Sequence, residues 1–154
     1  MRITGGRMRG LALASVGKGD PARALRPTAD RVRESLFNIL DHGGFGDPVE
    51  GAAVLDVFAG TGALGLEALS RGAAFATFIE DGRTALGLLG ENIARARAEG
   101  ETRVLRRSAL RPGPATGTPA TLVFLDPPYG RAMGGKALRA LRDGGWIAPG
   151  GLVV

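Results

Sequence analysis

The sequence predicts an α/β protein built on a mostly parallel sheet. Three observations carry that prediction. Short apolar runs rich in Val, Leu and Ile alternate with helical stretches, the order expected of strands joined by helical crossovers. A glycine-rich turn follows the first such run and opens a helix, with Gly60, Gly62 and Gly65 fitting G-x-G-x-x-G. A later run, "ATLVFLD", ends on Asp126 and is followed by Pro127, Pro128 and Tyr129, a turn too stiff and too poor in donors to continue a strand.

Taken in order, "RITGG" and "LALAS" flank the Gly/Arg-rich "GRMRG" and suit a small hairpin. "VGKGDPARALRP" is a loop, dense in Gly, Pro and charge. Thr28 is placed to cap a helix, with Asp30 in its first turn and Val32, Leu36, Ile39 and Leu40 on one face. A second loop, "DHGGFGDPVEG", leads to the strand "AAVLDVF", the glycine turn and a helix to Arg71. "AAFATFIE" is the next strand, followed by a helix from about Arg83 to Ala98. "TRVLRRS" and "ATLVFLD" are the third and fourth strands, "MGGKALRALRD" a weak helix, and "GGLVV" the start of a fifth strand. That last strand is expected beside the fourth, with apolar side chains buried on both faces.

The chain's 154 residues suffice for one domain with a core. With no cysteine and a single histidine, His42, neither a thiolate or histidine metal site nor a Ser-His pair is expected. No apolar run is long enough to cross a membrane and the N-terminus lacks a signal-peptide core, so the expected location is the cytoplasm. Charge is uneven. Residues 1–35 hold eight Lys/Arg and three acids, and the remainder holds twelve of each, so the whole net charge of +5 sits at the N-terminus. This is the pattern of a polyanion-binding arm on a neutral body, or of a merely solvated basic surface. Arg7, Arg9, Arg31 and Arg33 are the candidate nucleic-acid contacts. The division expected is a basic arm over residues 1–26 and a catalytic domain over 27–154.

The glycine turn lets the backbone approach a ligand closely. Glu80 follows Gly60 by 20 residues at the end of the next strand, where an acid accepts ribose hydroxyls. Asp56 separates two possible ligands. It lies inside the strand before Gly60, and burying it is costly without a partner. The amino group of a methionine moiety is such a partner, so Asp56 points to S-adenosylmethionine rather than NAD. Asp126 ends a strand at the same edge of the sheet, where ligands of such sheets bind. An exocyclic base amine is a poor nucleophile because its lone pair is delocalised. Acceptors holding both its N–H groups favour the pyramidal nitrogen, and the Asp126 carboxylate and Pro127 carbonyl can serve. Pro127 and Pro128 stiffen the turn, and Tyr129 offers a face for an extruded base.

"RITGGRMRGLAL", "RPTADRVRESLFNIL", "LDVFAGTGALGLEALSRGA", "FIEDGRTALGLLGENI", "FLDPPY" and "WIAPGGLVV" together resemble the RsmD-like family, over nearly the whole chain and in order. These are bacterial small-subunit rRNA guanine-N2 methyltransferases that modify guanine 966 of 16S rRNA. The glycine motif and "DPPY" are shared by many methyltransferases, while the "RPTADRVRESLFNIL" block is more specific. The resemblance implies a Rossmann-like class I methyltransferase fold, an S-adenosylmethionine donor and a guanine on an assembling small ribosomal subunit. It implies cofactor contacts at Asp56, Gly60, Gly62 and Glu80, and catalysis at Asp126 to Tyr129. The stretch that contacts adenine often has an acid where this chain has Ser108, so the Ser108 hydroxyl or the Ala109 backbone is expected there instead. The family also continues for a few dozen residues after the position of Val154. An uncharged apolar edge strand is a liability, so a longer native product is expected. A monomer without metal is expected. The rival readings are a DNA adenine-N6 methyltransferase, a non-catalytic nucleic-acid-binding module and, disfavoured by Asp56, an NAD-dependent oxidoreductase.

Overall fold

The computed structural model describes residues 1–15, 28–128 and 132–154. Five strands, β1 (Ala53–Val57), β2 (Phe75–Glu80), β3 (Thr102–Arg106), β4 (Ala120–Leu125) and β5 (Ile147–Val153), form one sheet in the order β3-β2-β1-β4-β5. Every pairing is parallel. The chain steps outward from β1 to β3, then crosses back to β4 on the other side of β1. The reversal opens a crevice at the carboxyl ends of β1 and β4. The helices are α1 (Asp30–His42), α2 (Ala63–Ser70), α3 (Arg83–Arg95) and α4 (Met133–Asp143).

Alternate residues of the strands feed two cores, as expected of a sheet covered on both faces. On one face Val54, Phe78, Leu122 and Phe124 pack with Phe37, Leu40, Leu66, Leu69 and Leu89 from α1, α2 and α3. On the other, Leu55, Val57, Ile79 and Val123 pack with Ala137 and Leu141 of α4 and with Trp146. Trp146 donates its indole N–H to the Gly113 carbonyl at 2.8 Å, so the ring is buried with its polar edge satisfied.

The first residues fold back as the expected hairpin. Arg2 and Ala12 bridge antiparallel, the Ile3 amide donates to Leu11 at 3.0 Å, and the Gly10 amide donates to Ile3 at 2.8 Å. The hairpin is sewn to the body. Ile3 and Leu13 join the core beneath α1 and α2. The Met8 amide donates to Ser70 Oγ at 2.8 Å, and Ala14 exchanges bonds of 2.6 and 3.0 Å with the side chain of buried Asn92.

Four expectations are corrected. Thr28 does not cap α1: Ala29 is the N-cap, without a side-chain bond, and the Thr28 hydroxyl turns elsewhere. The buried face of α1 is Arg33, Phe37 and Leu40, while Val32 and Ile39 are each 57% exposed. The helix is rotated because Arg33 has a buried partner across the core. Helix α3 ends at Arg95, and Arg97 at φ +52° reverses the chain before Ala98. Strand β5 does lie beside β4, but its side chains are half-buried or exposed, since it is an edge of the sheet. The loop expected over "VGKGDPARALRP" lies mostly outside the described residues, as does Tyr129.

Candidate active site

At the carboxyl end of β1 the backbone bends sharply. Phe58 sits at φ +57°, a left-handed conformation that costs a bulky residue about 1–2 kcal/mol. Gly60 follows at φ +58° and Gly62 at φ +83°, the latter forming the N-cap of α2. Gly62 is needed for space as well as conformation, and Gly65 for space alone. A Cβ on Gly62 would meet Leu89 Cδ1 at 2.3 Å, and one on Gly65 would meet the Phe78 ring at 2.4 Å. These contacts press the start of α2 onto β2 and α3.

Glu80 clamps the loop from the neighbouring strand. One carboxylate oxygen accepts the Gly60 amide at 2.8 Å. The other accepts the Asp81 and Gly82 amides at 3.1 and 2.8 Å. The acid expected to meet a ribose therefore also holds two turns at the crevice in register. Asn92 adds a second clamp, donating to the Thr61 carbonyl at 3.0 Å.

Asp56 is 1% exposed. Its register partners are Phe78 on β2 and Phe124 on β4, so the carboxyl lies on a sheet face between two phenylalanines. Its one hydrogen bond among the described residues comes from the Gly65 amide, at 3.0 Å. Burial pushes the carboxyl up to about 8. The Gly65 bond works against this shift, and the nearby charges of Asp126 and Glu80 add to it.

Asp126 follows β4 directly and is exposed at the crevice. Its carboxylate accepts the Thr28 hydroxyl at 3.3 Å. Pro127, beside it, is half-buried, and a Cβ on Gly134 in the first turn of α4 would meet its ring at 3.3 Å. Pro128 is exposed. Ser108 and Ala109 lie just past the end of β3, at the same edge of the sheet. The Ser108 Oγ accepts the Leu110 amide at 3.1 Å, and Ala109 is buried.

The four arginines expected on nucleic acid divide. Arg9 and Arg31 are exposed, and among the described residues neither forms an ion pair. Arg7 is exposed and pairs with Glu101. Arg33 is withdrawn from that role, because it is 0% exposed and donates to Glu67 at 2.8 Å. Glu67 is a residue that sequence patterns alone did not single out. It is also fully buried, on α2, and accepts Arg71 at 2.9 Å and the Thr4 and Gly5 amides at 3.0 Å each. Burial would raise its carboxyl, but the bonds from Arg33, Thr4 and Arg71 outweigh that and hold it below the usual range. A glutamate two residues after Gly65 on a helix otherwise without charge, "ALGLEALS", was the available signal.

The parallel sheet, the glycine turn at its point of reversal and the acids at its strand ends define a Rossmann-like class I methyltransferase fold. A family model described as conserved hypothetical protein 95 matches residues 1–154, and the chain belongs to that family, the RsmD family. The chain is 43% identical over 153 residues to ribosomal RNA small subunit methyltransferase D of Escherichia coli K12, covering 99% of this chain and 72% of that protein. It is 35% identical to the protein of the same name from Haemophilus influenzae, over 99% of this chain and 76% of that one. Among solved structures, the putative methyltransferase yhhF of Escherichia coli superposes with a TM-score of 0.79 at 41% identity, covering 99% of this chain and 78% of that one.

Proposed function

We propose that the chain transfers the methyl group of S-adenosylmethionine to the exocyclic N2 amine of a guanine in 16S rRNA, in an assembling small ribosomal subunit. The position, guanine 966, follows from the family resemblance. The observation that carries the reading is the convergence of three carboxyls, Asp56, Glu80 and Asp126, at the ends of β1, β2 and β4. One of them is buried between phenylalanines with no cation beside it among the described residues. A cationic group beside Asp56 would favour its ionised form and be drawn by Glu80 and Asp126, whose charges repel the phosphates of NAD. The name borne by the relatives supports rRNA as the substrate.

Asp56 and the glycine turn would hold the amino-acid end of the donor, Glu80 its ribose, and Ser108 and Ala109 its adenine. Bound there, the donor supplies a methyl group on a positively charged sulfur. The chain's own part is orientation. The Asp126 carboxylate and the Pro127 carbonyl accept the two N–H groups of the amine and turn its lone pair toward the methyl carbon. The carbon–sulfur bond breaks as the carbon–nitrogen bond forms, and the proton shed by nitrogen leaves through Asp126 to water. Tyr129 stacks on the extruded base. Arg7, Arg9 and Arg31 meet rRNA phosphates. The working division is the arm over 1–26 and the catalytic domain over 27–154, acting as a cytoplasmic monomer without a metal.

The test is mass mapping of nucleosides in small-subunit rRNA from cells lacking the protein. Loss of a single N2-methylguanosine is expected, and an unchanged rRNA would remove the reading. Calorimetry with S-adenosylhomocysteine and NAD checks the donor site separately. Binding of the first and not the second is expected.

A further inference from the structure

The block "RPTADRVRESLFNIL" belongs neither to the glycine turn nor to "DPPY", yet the structure joins it to both. Thr28 donates its hydroxyl to Asp126 Oδ2 at 3.3 Å, across 98 residues of sequence. The distance is long for an O–H···O bond, and catalytic bonds of this kind shorten once substrate is in place. Behind Thr28 stands a chain of hydrogen bonds centred on the buried Arg33. Arg33 Nη1 donates to the Thr28 carbonyl at 3.2 Å, and Arg33 Nε donates to Glu67 at 2.8 Å. Arg33 Nη2 donates to Asp30 at 3.0 Å and also to the Arg2 carbonyl. Asp30 in turn accepts the Arg2 amide at 3.2 Å on each oxygen.

Thr28 is thus held from its backbone side by a fully buried guanidinium, itself fixed by a fully buried carboxylate on α2. Its hydroxyl faces the exposed carboxylate of the crevice. We infer that Thr28 is a positioning residue for Asp126. The Arg33–Glu67 pair anchors it, so that α2, which carries the glycine turn, also sets the rotamer of the acid that receives the amine. The inference rests on Asp126 acting in methyl transfer as proposed above. It accounts for a threonine just ahead of α1, and for an arginine buried in the first turn of that helix. An aspartate followed by two prolines has a fixed backbone but a free side chain. A donor from outside the turn removes that freedom and leaves the other carboxylate oxygen open to the amine.

The experiment compares Thr28→Val, Thr28→Ser, Asp126→Asn and the double variant Thr28→Val/Asp126→Asn in the full chain. Methyl transfer is measured to small-subunit particles purified from cells lacking the enzyme. Thr28→Val is expected to lower kcat about tenfold, the effect of one well-placed hydrogen bond. KM for particles, affinity for S-adenosylhomocysteine and the melting temperature should stay near wild type. Thr28→Ser keeps the hydroxyl and should recover most of the rate. In the Asp126→Asn background Thr28→Val should have little further effect. A crystal structure of Thr28→Val should have the Asp126 carboxylate turned from its native rotamer.

If Asp126→Asn abolishes transfer while Thr28→Val turns over at the wild-type rate, the positioning role is overturned and the catalytic reading stands. Equal losses in Thr28→Ser and Thr28→Val, or a loss carried by KM or by melting, also overturn it. Full turnover by Asp126→Asn overturns both the catalytic reading and the inference built on it.

Discussion

Asp56 and Glu67 lie eleven residues apart on either side of the same glycine turn, and both are buried acids. Their surroundings are opposite. Glu67 has two guanidinium groups and two backbone amides around it, and its carboxyl is held below the usual range. Asp56 has one backbone amide, two phenylalanines as register partners and two like charges nearby, and its carboxyl is pushed up to about 8. Burial alone therefore does not distinguish a structural acid from one proposed to meet a ligand. The distinction lies in whether the protein supplies the counter-charge. At Glu67 it does, and the acid ties the arm to α2. At Asp56, among the described residues, it supplies none, and the amino group of the proposed donor would take that place.

The largest effect should come from breaking the satisfied pair. Glu67→Ala strands the buried guanidinium of Arg33 and should destabilise the fold by about 3–5 kcal/mol, read from urea denaturation. A loss under about 1 kcal/mol would mean that Arg33 finds solvent, and the contrast with Asp56 would collapse. Removing the exposed third acid should do the reverse. Asp126→Ala should cost methyl transfer roughly two to three decades, about 3–4 kcal/mol of barrier, with little change in melting temperature. Near-normal turnover would reduce Asp126 to a turn residue.

The next prediction concerns pH. The folded state holds the Asp56 proton up to about pH 8, whereas an unfolded chain sheds it near the ordinary 3.8. In that window the native state binds more protons, so stability falls as pH rises, by at most about 1.4 kcal/mol per pH unit. Glu67 has the opposite sign. Its contribution is complete above the ordinary 4.5 and is lost as the pH falls below it. Asp56→Asn should remove the falling limb between about pH 4 and pH 8, raise the stability of the ligand-free protein at pH 7 and weaken binding of S-adenosylhomocysteine. A limb that survives the substitution would show that another group titrates there.

The smallest effect should come from the exposed arginines. Neutralising Arg7, Arg9 and Arg31 together should make the salt dependence of RNA binding shallower, by about 0.7 for each phosphate of a single strand left without its cation. Donor affinity should be untouched. An equal fall in donor affinity would place the arm in the catalytic pocket.

The parts of the site built from neighbouring residues were legible in the sequence. Glycine spacing, an acid inside an apolar run and an Asp-Pro-Pro turn are local patterns, and each landed at the carboxyl edge of the sheet. The buried ion pair was not legible. Hydropathy counts Arg33 and Glu67 as surface residues, and they are 34 positions apart, so nothing short of the fold brings them together. That single omission rotated α1, exposed Val32 and Ile39, and placed Arg33 wrongly among the nucleic-acid contacts. Thr28 was misread for the same reason: its partner is not the helix it precedes but a residue 98 positions away. The early end of α3 turned on one left-handed residue, Arg97, which has no side-chain feature to announce it.

The stitching of the hairpin onto the body also sets an order of events during synthesis. The Thr4 and Gly5 amides need Glu67, and Ala14 needs Asn92. The first fourteen residues leave the ribosome before any of these partners exists. At roughly 5–20 residues per second, they wait on the order of ten seconds for Asn92 to be made. Protease digestion of stalled nascent chains would time the change. The arm should be cut freely in chains stopped before α3 has emerged, and protected in chains stopped after the sheet is complete.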